Sequence, residues 1–154
     1  MFSDYAKAAL RLGALMEIPR LSVFSHDSYQ VGGDGSTHQP VEQLTSLRSI
    51  PNYLVFRPCD ESEVLNSFKY ALNSKKHQVQ LSRRQEVKSF NIQPNEFKAA
   101  YFIKEYQDAK ITLLASGSEV HLAYNVSRIL QEQNINANVI SVLFTTITRR
   151  LKTN

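Results

Sequence analysis

The sequence predicts an α/β fold, a parallel sheet flanked by helices, followed by a second and shorter α/β unit. Three observations point there. Short β-prone runs alternate with stretches of helical periodicity, the pattern of a parallel sheet covered by helices. A polar stretch from Arg84 to Asn95, with Pro94 inside it, separates two such alternating series and reads as a linker. Finally, 154 residues at 42% hydrophobic content suffice for one good core, or a core and part of a second. On this division residues 1–90 form the first unit and 91–154 the second.

Taken in order, Tyr5, Ala9, Leu12 and Met16 recur at helical spacing and Pro19 ends the pattern. They predict an amphipathic helix over Tyr5 to Glu17 with those side chains as its apolar face. Leu21-Ser22-Val23-Phe24 is a strand running into a Gly-rich polar loop, His26 to His38, that is too long and too punctuated for a simple turn. Pro40 suits the first turn of a helix with Val41, Leu44 and Leu47 on one face, and Leu54-Val55-Phe56 reads as a buried strand closed by Pro58. Asp60-Glu61-Ser62-Glu63 has capping-box spacing ahead of a helix whose apolar face is Val64, Leu65, Phe68, Ala71 and Leu72. Val79-Gln80-Leu81-Ser82 is the next strand. Past the linker, Ile111 to Ala115 is a strand, Ser116-Gly117-Ser118 a tight loop, Glu119 to Gln133 a helix and Ala137 to Val142 a strand, which together make a βαβ unit.

Composition narrows the function. No run of about 18 apolar residues exists, and Met1-Phe2-Ser3-Asp4 lacks the basic start and apolar stretch of a signal peptide, so a soluble, cytoplasmic chain without membrane association is expected. The single cysteine, Cys59, leaves no internal disulfide framework and is expected to pack in the core. A formal charge of +4, spread along the chain and without an aromatic-interleaved basic motif, argues against nucleic-acid binding.

Chemistry is expected where loops leave the carboxyl ends of parallel strands: after Phe24, after Leu81 and at Ser116. The loop from His26 to Pro40 gathers two of the four histidines, Asp27 and Asp34, and three glycines. Glycines let backbone approach a ligand, while His and Asp transfer protons near neutral pH, so the residues suggest a polar substrate pocket. The alternative is that His26 and His38 merely hydrogen-bond the loop. Their spacing matches no common zinc signature, and no metal ligands are assigned in this chain. His77 and His121 lie outside the loop and are expected to be solvated. Ser116-Gly117-Ser118 could hold an anion on its backbone amides, but a structural strand-to-helix turn is the favoured reading.

These residues together resemble the transketolase family. The resemblance rests on His26-Asp27-Ser28, Gly32, Asp34-Gly35 and Thr37-His38-Gln39-Pro40-Val41-Glu42-Gln43 through Leu47-Arg48. It extends to Phe2-Ser3-Asp4-Tyr5-Ala6, Arg57-Pro58-Cys59-Asp60, Leu81-Ser82-Arg83 and Ala115-Ser116-Gly117-Ser118-Glu119-Val120. It implies a thiamine-diphosphate-binding pyrimidine-type domain followed by the start of a C-terminal domain. Such enzymes move a two-carbon ketol unit between sugar phosphates of the pentose phosphate pathway, with thiamine diphosphate and Mg2+, as homodimers; the cofactor supplies the hard chemistry and the protein orients it.

By the same resemblance Phe2 stacks on the cofactor's aminopyrimidine ring and Tyr5 lines that pocket. His26 and His38 are the histidines that bind sugar hydroxyls and move protons. Asp34 recognises a substrate hydroxyl, and Arg83, next to Arg84, clamps the substrate phosphate with its planar fork of donors. The family's metal motif and the glutamate that activates the cofactor lie upstream of the Phe2 position, so a transketolase fragment inactive by itself is expected. The family's usual Gly-x-Gly-Glu-Asp-Gly-Pro reads Gln30-Val31-Gly32-Gly33-Asp34-Gly35-Ser36 here, and Thr145 to Asn154 departs from the family, as a truncation, frameshift or partial gene model would. Dihydroxyacetone synthase, and a non-catalytic binding or dimerisation fragment, are the alternatives.

Overall fold

The structure, a computed structural model, describes residues 2–74, 77–81, 86–92 and 97–145. The first sheet contains three parallel strands, β1 (Arg20–Phe24), β2 (Tyr53–Phe56) and β3 (His77–Leu81), with β3 between the other two. All four residues of β2 are buried, the continuous apolar run of a parallel strand covered on both faces. Because side chains alternate along a strand, Tyr53 and Val55 enter one cluster and Leu54 and Phe56 another. The first cluster is closed by Leu10 and Ala14 of α1 (Lys7–Leu15) and Leu47 of α2 (Gln43–Arg48). On the opposite face Tyr70 of α3 (Glu61–Asn73) packs on Phe56, with ring centroids 5.7 Å apart.

The second sheet holds β5 (Ile111–Ala115) and β6 (Ala137–Val142) in parallel, joined through α4 (Glu119–Glu132) as expected. Its third strand, β4 (Ala100–Lys104), runs antiparallel to β6 and was not expected from the sequence. Only five residues long and abutting the polar linker, it carries no periodicity that distinguishes it from a loop end. After β6 the chain returns to the first sheet, where β7 (Phe144–Thr145) lies antiparallel to β2. The expected linker is non-helical and non-strand over its described residues 86–92.

Two expected helix faces are corrected. α1 buries Leu10 and Ala14, whereas Tyr5, Leu12 and Met16 are 82%, 56% and 60% exposed. In α3 the buried positions are Ser62, Glu63, Ser67 and Ala71, while Leu65, Phe68 and Leu72 face outward. The buried stripe of α1 pairs Leu10 with Ala14, while that of α3 consists of small or hydrogen-bonded residues. The capping box holds in modified form. Asp60 accepts the Glu63 N–H at 3.0 Å, but the Glu63 carboxylate takes the Cys59 N–H at 2.7 Å rather than that of the cap residue. Pro40 precedes α2 by three residues instead of sitting in its first turn.

Polar contacts join the two units. Glu63, fully buried, also accepts from the Ser141 hydroxyl at 2.5 Å, and Asp60 takes the Phe90 N–H at 3.0 Å. Cys59 is buried as expected, in a cluster with Ile103, Val120 and Val139 of the second unit. Burial and the nearby carboxylates push its thiol pKa far up. His121 is half-buried rather than fully solvated; its ring lies 4.3 Å from that of Phe90 and lines a cleft of about 560 Å³ with Tyr124 and Lys88.

Candidate active site at the carboxyl edge of the first sheet

The loop leaving β1 folds into two single 3-10 turns, Tyr29–Val31 and Ser36–His38. Gly32 and Gly35 follow and precede these turns with φ of 77° and 80°, conformations that a side chain resists. The Ser28 hydroxyl accepts the Gln30 N–H at 3.1 Å, and the Gln39 amide donates to the Gly32 carbonyl at 3.2 Å, closing the loop on itself.

Opposite this loop lies the 3-10 turn Phe2–Ala6 that starts α1. Phe2 stands edge-on to both expected histidines, with ring centroids 4.7 Å from His26 and 5.9 Å from His38. Tyr5 stacks at 6.4 Å from Phe2 and is otherwise open to solvent, so it does not anchor the helix in the core. Four of the six expected site residues thus form one cluster of rings, with Phe2, His26 and His38 half-buried and Tyr5 exposed. Asp34 sits on the same loop at an exposed turn, its N–H donating to the Gly32 carbonyl at 2.9 Å. Arg83 and Arg84 lie outside the described residues.

Each histidine is oriented by its neighbour: Nδ1 of His26 lies 2.8 Å from the Ser25 hydroxyl, and Nδ1 of His38 lies 3.0 Å from that of Thr37. Nε2 is then the ring atom left to meet a ligand, and when the hydroxyl donates to Nδ1 it is Nε2 that carries the proton. His26 also has φ of 65°, an uncommon conformation for a residue with a side chain, of the kind found at functional sites.

Two polar networks behind the rings gave no separate signal in the sequence. Gln43, 5% exposed, donates to Asp4 at 2.6 Å and accepts the Val41 N–H at 2.8 Å, tying the Phe2 turn to the end of the histidine loop. Burial works against the Asp4 charge, but the bonds from Gln43 and Lys7 outweigh it and hold its pKa below the usual value. The second network centres on Arg57, at the carboxyl end of β2. Its Nε meets Asp27 Oδ2 and its Nη1 donates to the Ser116 carbonyl. Its Nη2 lies 2.5 Å from Glu119 Oε2, an ion pair rather than an aligned hydrogen bond. Burial opposes the Arg57 charge, yet Asp27 and Glu119 prevail and raise its pKa. In the Ser116-Gly117-Ser118 turn the Ser116 carbonyl accepts from Arg57, the Gly117 N–H donates to the Arg57 carbonyl, and the Ser118 hydroxyl bonds Ser28 and Glu119, contacts of the kind a structural turn makes.

Among the described residues no group of three or more His, Cys, Asp or Glu side chains is placed to hold a metal ion, and no helix is long and apolar enough to cross a membrane. The open aromatic face of Phe2 and Tyr5 fits a flat heterocycle such as an aminopyrimidine.

Comparison with known proteins agrees with this geometry. The family model for the transketolase pyrimidine-binding domain matches residues 1–88, and that for the transketolase-like C-terminal domain matches residues 99–153. The transketolase of Mycoplasma genitalium is 45% identical over 92% of this chain, which spans 22% of that relative's length. A transketolase structure from Campylobacter jejuni superposes with a TM-score of 0.85 at 43% identity, covering 93% of this chain and 23% of that one. One from Pichia stipitis, in complex with sedoheptulose-7-phosphate, gives 0.87 at 37% identity over 94% and 22%. The α/β architecture, the ring cluster at the carboxyl edge and these matches together make the chain a member of the transketolase family, bearing its pyrimidine-binding domain and the start of its C-terminal domain.

Proposed function

We propose that this chain supplies the pyrimidine-binding and substrate-channel half of a ketol-transfer site for sugar phosphates. The observation that carries the reading is the Phe2 ring held edge-on between His26 and His38 beside the open Tyr5 ring. Thiamine diphosphate, when bound, would supply the chemistry that breaks and forms the carbon–carbon bond. Phe2 and Tyr5 would hold its aminopyrimidine ring. His26 and His38, with Nδ1 already engaged, would bind sugar hydroxyls and exchange protons with them through Nε2. Asp34 would accept a further hydroxyl and so favour one epimer, and Arg83 would meet the phosphate.

Mg2+, the activating glutamate and the diphosphate contacts belong, on this reading, to protein outside the chain, which spans about 22% of its relatives' length. A homodimer in the cytoplasm is the expected setting, with residues 1–90 as the pyrimidine unit and 91–154 as the C-terminal one. The test is ketol transfer from xylulose 5-phosphate to ribose 5-phosphate with thiamine diphosphate and Mg2+. The purified chain alone is expected to show none. A chimera in which this chain replaces the matching segment of the Mycoplasma genitalium transketolase is expected to turn over. A folded chimera without turnover, or turnover by the chain alone, would overturn the proposal.

A further inference from the structure

Arg57 is 8% exposed and follows the buried strand residue Phe56, so its backbone is fixed by the core of the first unit. Its guanidinium reaches outward in three directions. Nε pairs with Asp27 Oδ2, Nη2 donates to the Asp27 carbonyl at 3.3 Å, and Nη1 donates to the carbonyl and hydroxyl of Ser116 at 2.5 and 3.1 Å. Glu119, from the first turn of α4, closes the circle through Nη2. The Arg57 backbone is held as well, donating to Leu143 and accepting from Gly117, each at 2.9 Å.

The residues gripped are the ones next to His26. Asp27 is bound through both its carboxylate and its carbonyl. The Ser28 hydroxyl accepts from that of Ser118 at 2.8 Å, and Glu119 Oε1 lies 3.4 Å from the Tyr29 N–H. His26 itself has φ of 65°, which costs free energy and persists only where its surroundings over-determine it. Among the described residues the hydrogen bond at the His26 ring is to Ser25, next to it in the chain. The contacts to the residues that follow it, Asp27 and Ser28, come from Arg57 after β2 and from the second unit.

We propose that Arg57 and Glu119 are positioning residues for the histidine loop. They fix the backbone at Asp27 so that His26 keeps its left-handed conformation and its ring stays against Phe2. The second unit is on this view part of the site, since Ser116, Ser118 and Glu119 hold the arginine and the loop from behind. The inference rests on the proposed role of His26, and it gives a specific task to the Arg57-Pro58 and Ser116-Gly117-Ser118-Glu119 runs. The competing account is that this network only cements the two units together.

The two accounts separate at the His26 ring. In the full chain, the Cε1–Hε1 signals of His26 and His38 can be assigned by NMR, and the contact with Phe2 read as a nuclear Overhauser effect and a ring-current shift. Arg57→Lys keeps the charge and loses the fork. Glu119→Gln keeps the shape and loses the charge on a side chain that is 20% exposed. Both are expected to shift the His26 signal and at least halve its Phe2 contact, while Glu119→Asp restores part of it. Ser127→Ala serves as the structural control, because it removes a buried hydrogen bond to Ala137 inside the second unit, and it is expected to leave His26 unmoved. An unchanged His26 signal in folded Glu119→Gln protein, or an equal shift in Ser127→Ala, would overturn the proposal. Should Arg57→Lys fail to fold, Glu119→Gln decides alone. The readout needs no turnover, so an inactive chimera with this coupling intact would count against the ketol-transfer reading only.

Discussion

Glu63 and Cys59 show how single buried residues tie this molecule together. The Glu63 carboxylate sits at the first turn of α3, where the helix dipole favours a negative charge, and it takes donors from Cys59 and Ser141 in different units. Glu63→Ala removes the acceptor that both donors share and is expected to cost roughly 2–4 kcal/mol, read from the urea midpoint. Cys59 gives a pH signature. Its folded pKa lies above its ordinary value of 9.0, so its contribution to stability is complete below that pH. As pH rises past 9 the unfolded thiol ionises and the folded one does not, and stability falls with a slope that approaches about 1.4 kcal/mol per pH unit well above that pH. Denaturant unfolding at pH 8 and at pH 10 should show a loss of about 1.4 kcal/mol in the parent that is missing in Cys59→Ala. At this scale the sequence made the histidine loop legible, because His26, Asp34 and His38 crowd a Gly-rich stretch after a strand. Asp27–Arg57 and Arg57–Glu119 were not legible, since pairs 30 and 62 positions apart leave no trace in local spacing.

Elements were legible in type and poorly legible in orientation. β2 and the Asp60 cap follow directly from an apolar run and an acid three residues before Glu63, and both occur as expected. The faces of α1 and α3 did not follow, because apolar periodicity marks a stripe without saying which of two stripes meets the sheet. In α1 the stripe that meets the core is Leu10 with Ala14, and in α3 it is Ser62, Glu63, Ser67 and Ala71. Leu10→Ala is accordingly expected to lower stability by roughly 2–5 kcal/mol, and Leu12→Ala by less than about 0.5 kcal/mol, in the same urea experiment. Equal losses would contradict the observed exposures of 1% for Leu10 and 56% for Leu12. Gly117 offers a second test at this scale. Its φ is 60°, and a Cβ there would lie 3.0 Å from the Arg57 side chain. Gly117→Ala should therefore destabilise by about 1–3 kcal/mol through strain and crowding of the arginine.

Across the whole molecule, the two units share polar contacts at Arg57, Glu63 and Asp60, and the chain passes from β6 back to the first sheet through β7. That return was illegible because a two-residue strand carries no pattern, although the C-terminal family match runs through residue 153 and so includes the stretch from Thr145 that was expected to depart from the family. Large apolar side chains remain outside on α1, α3 and α4, among them Leu15, Leu72 and Leu122. A chain spanning about 22% of its relatives' length has room for further protein to cover such faces, and the proposed function assigns the remainder of the site to that protein. The central claim is that the rings around Phe2 form the proton-handling part of a ketol-transfer site. Its most direct test is kcat/KM for ketol transfer by the chimera carrying His38→Ala, beside its parent. A loss of about 10²-fold or more, with folding intact, is the predicted result; a value within a few-fold of the parent would contradict it.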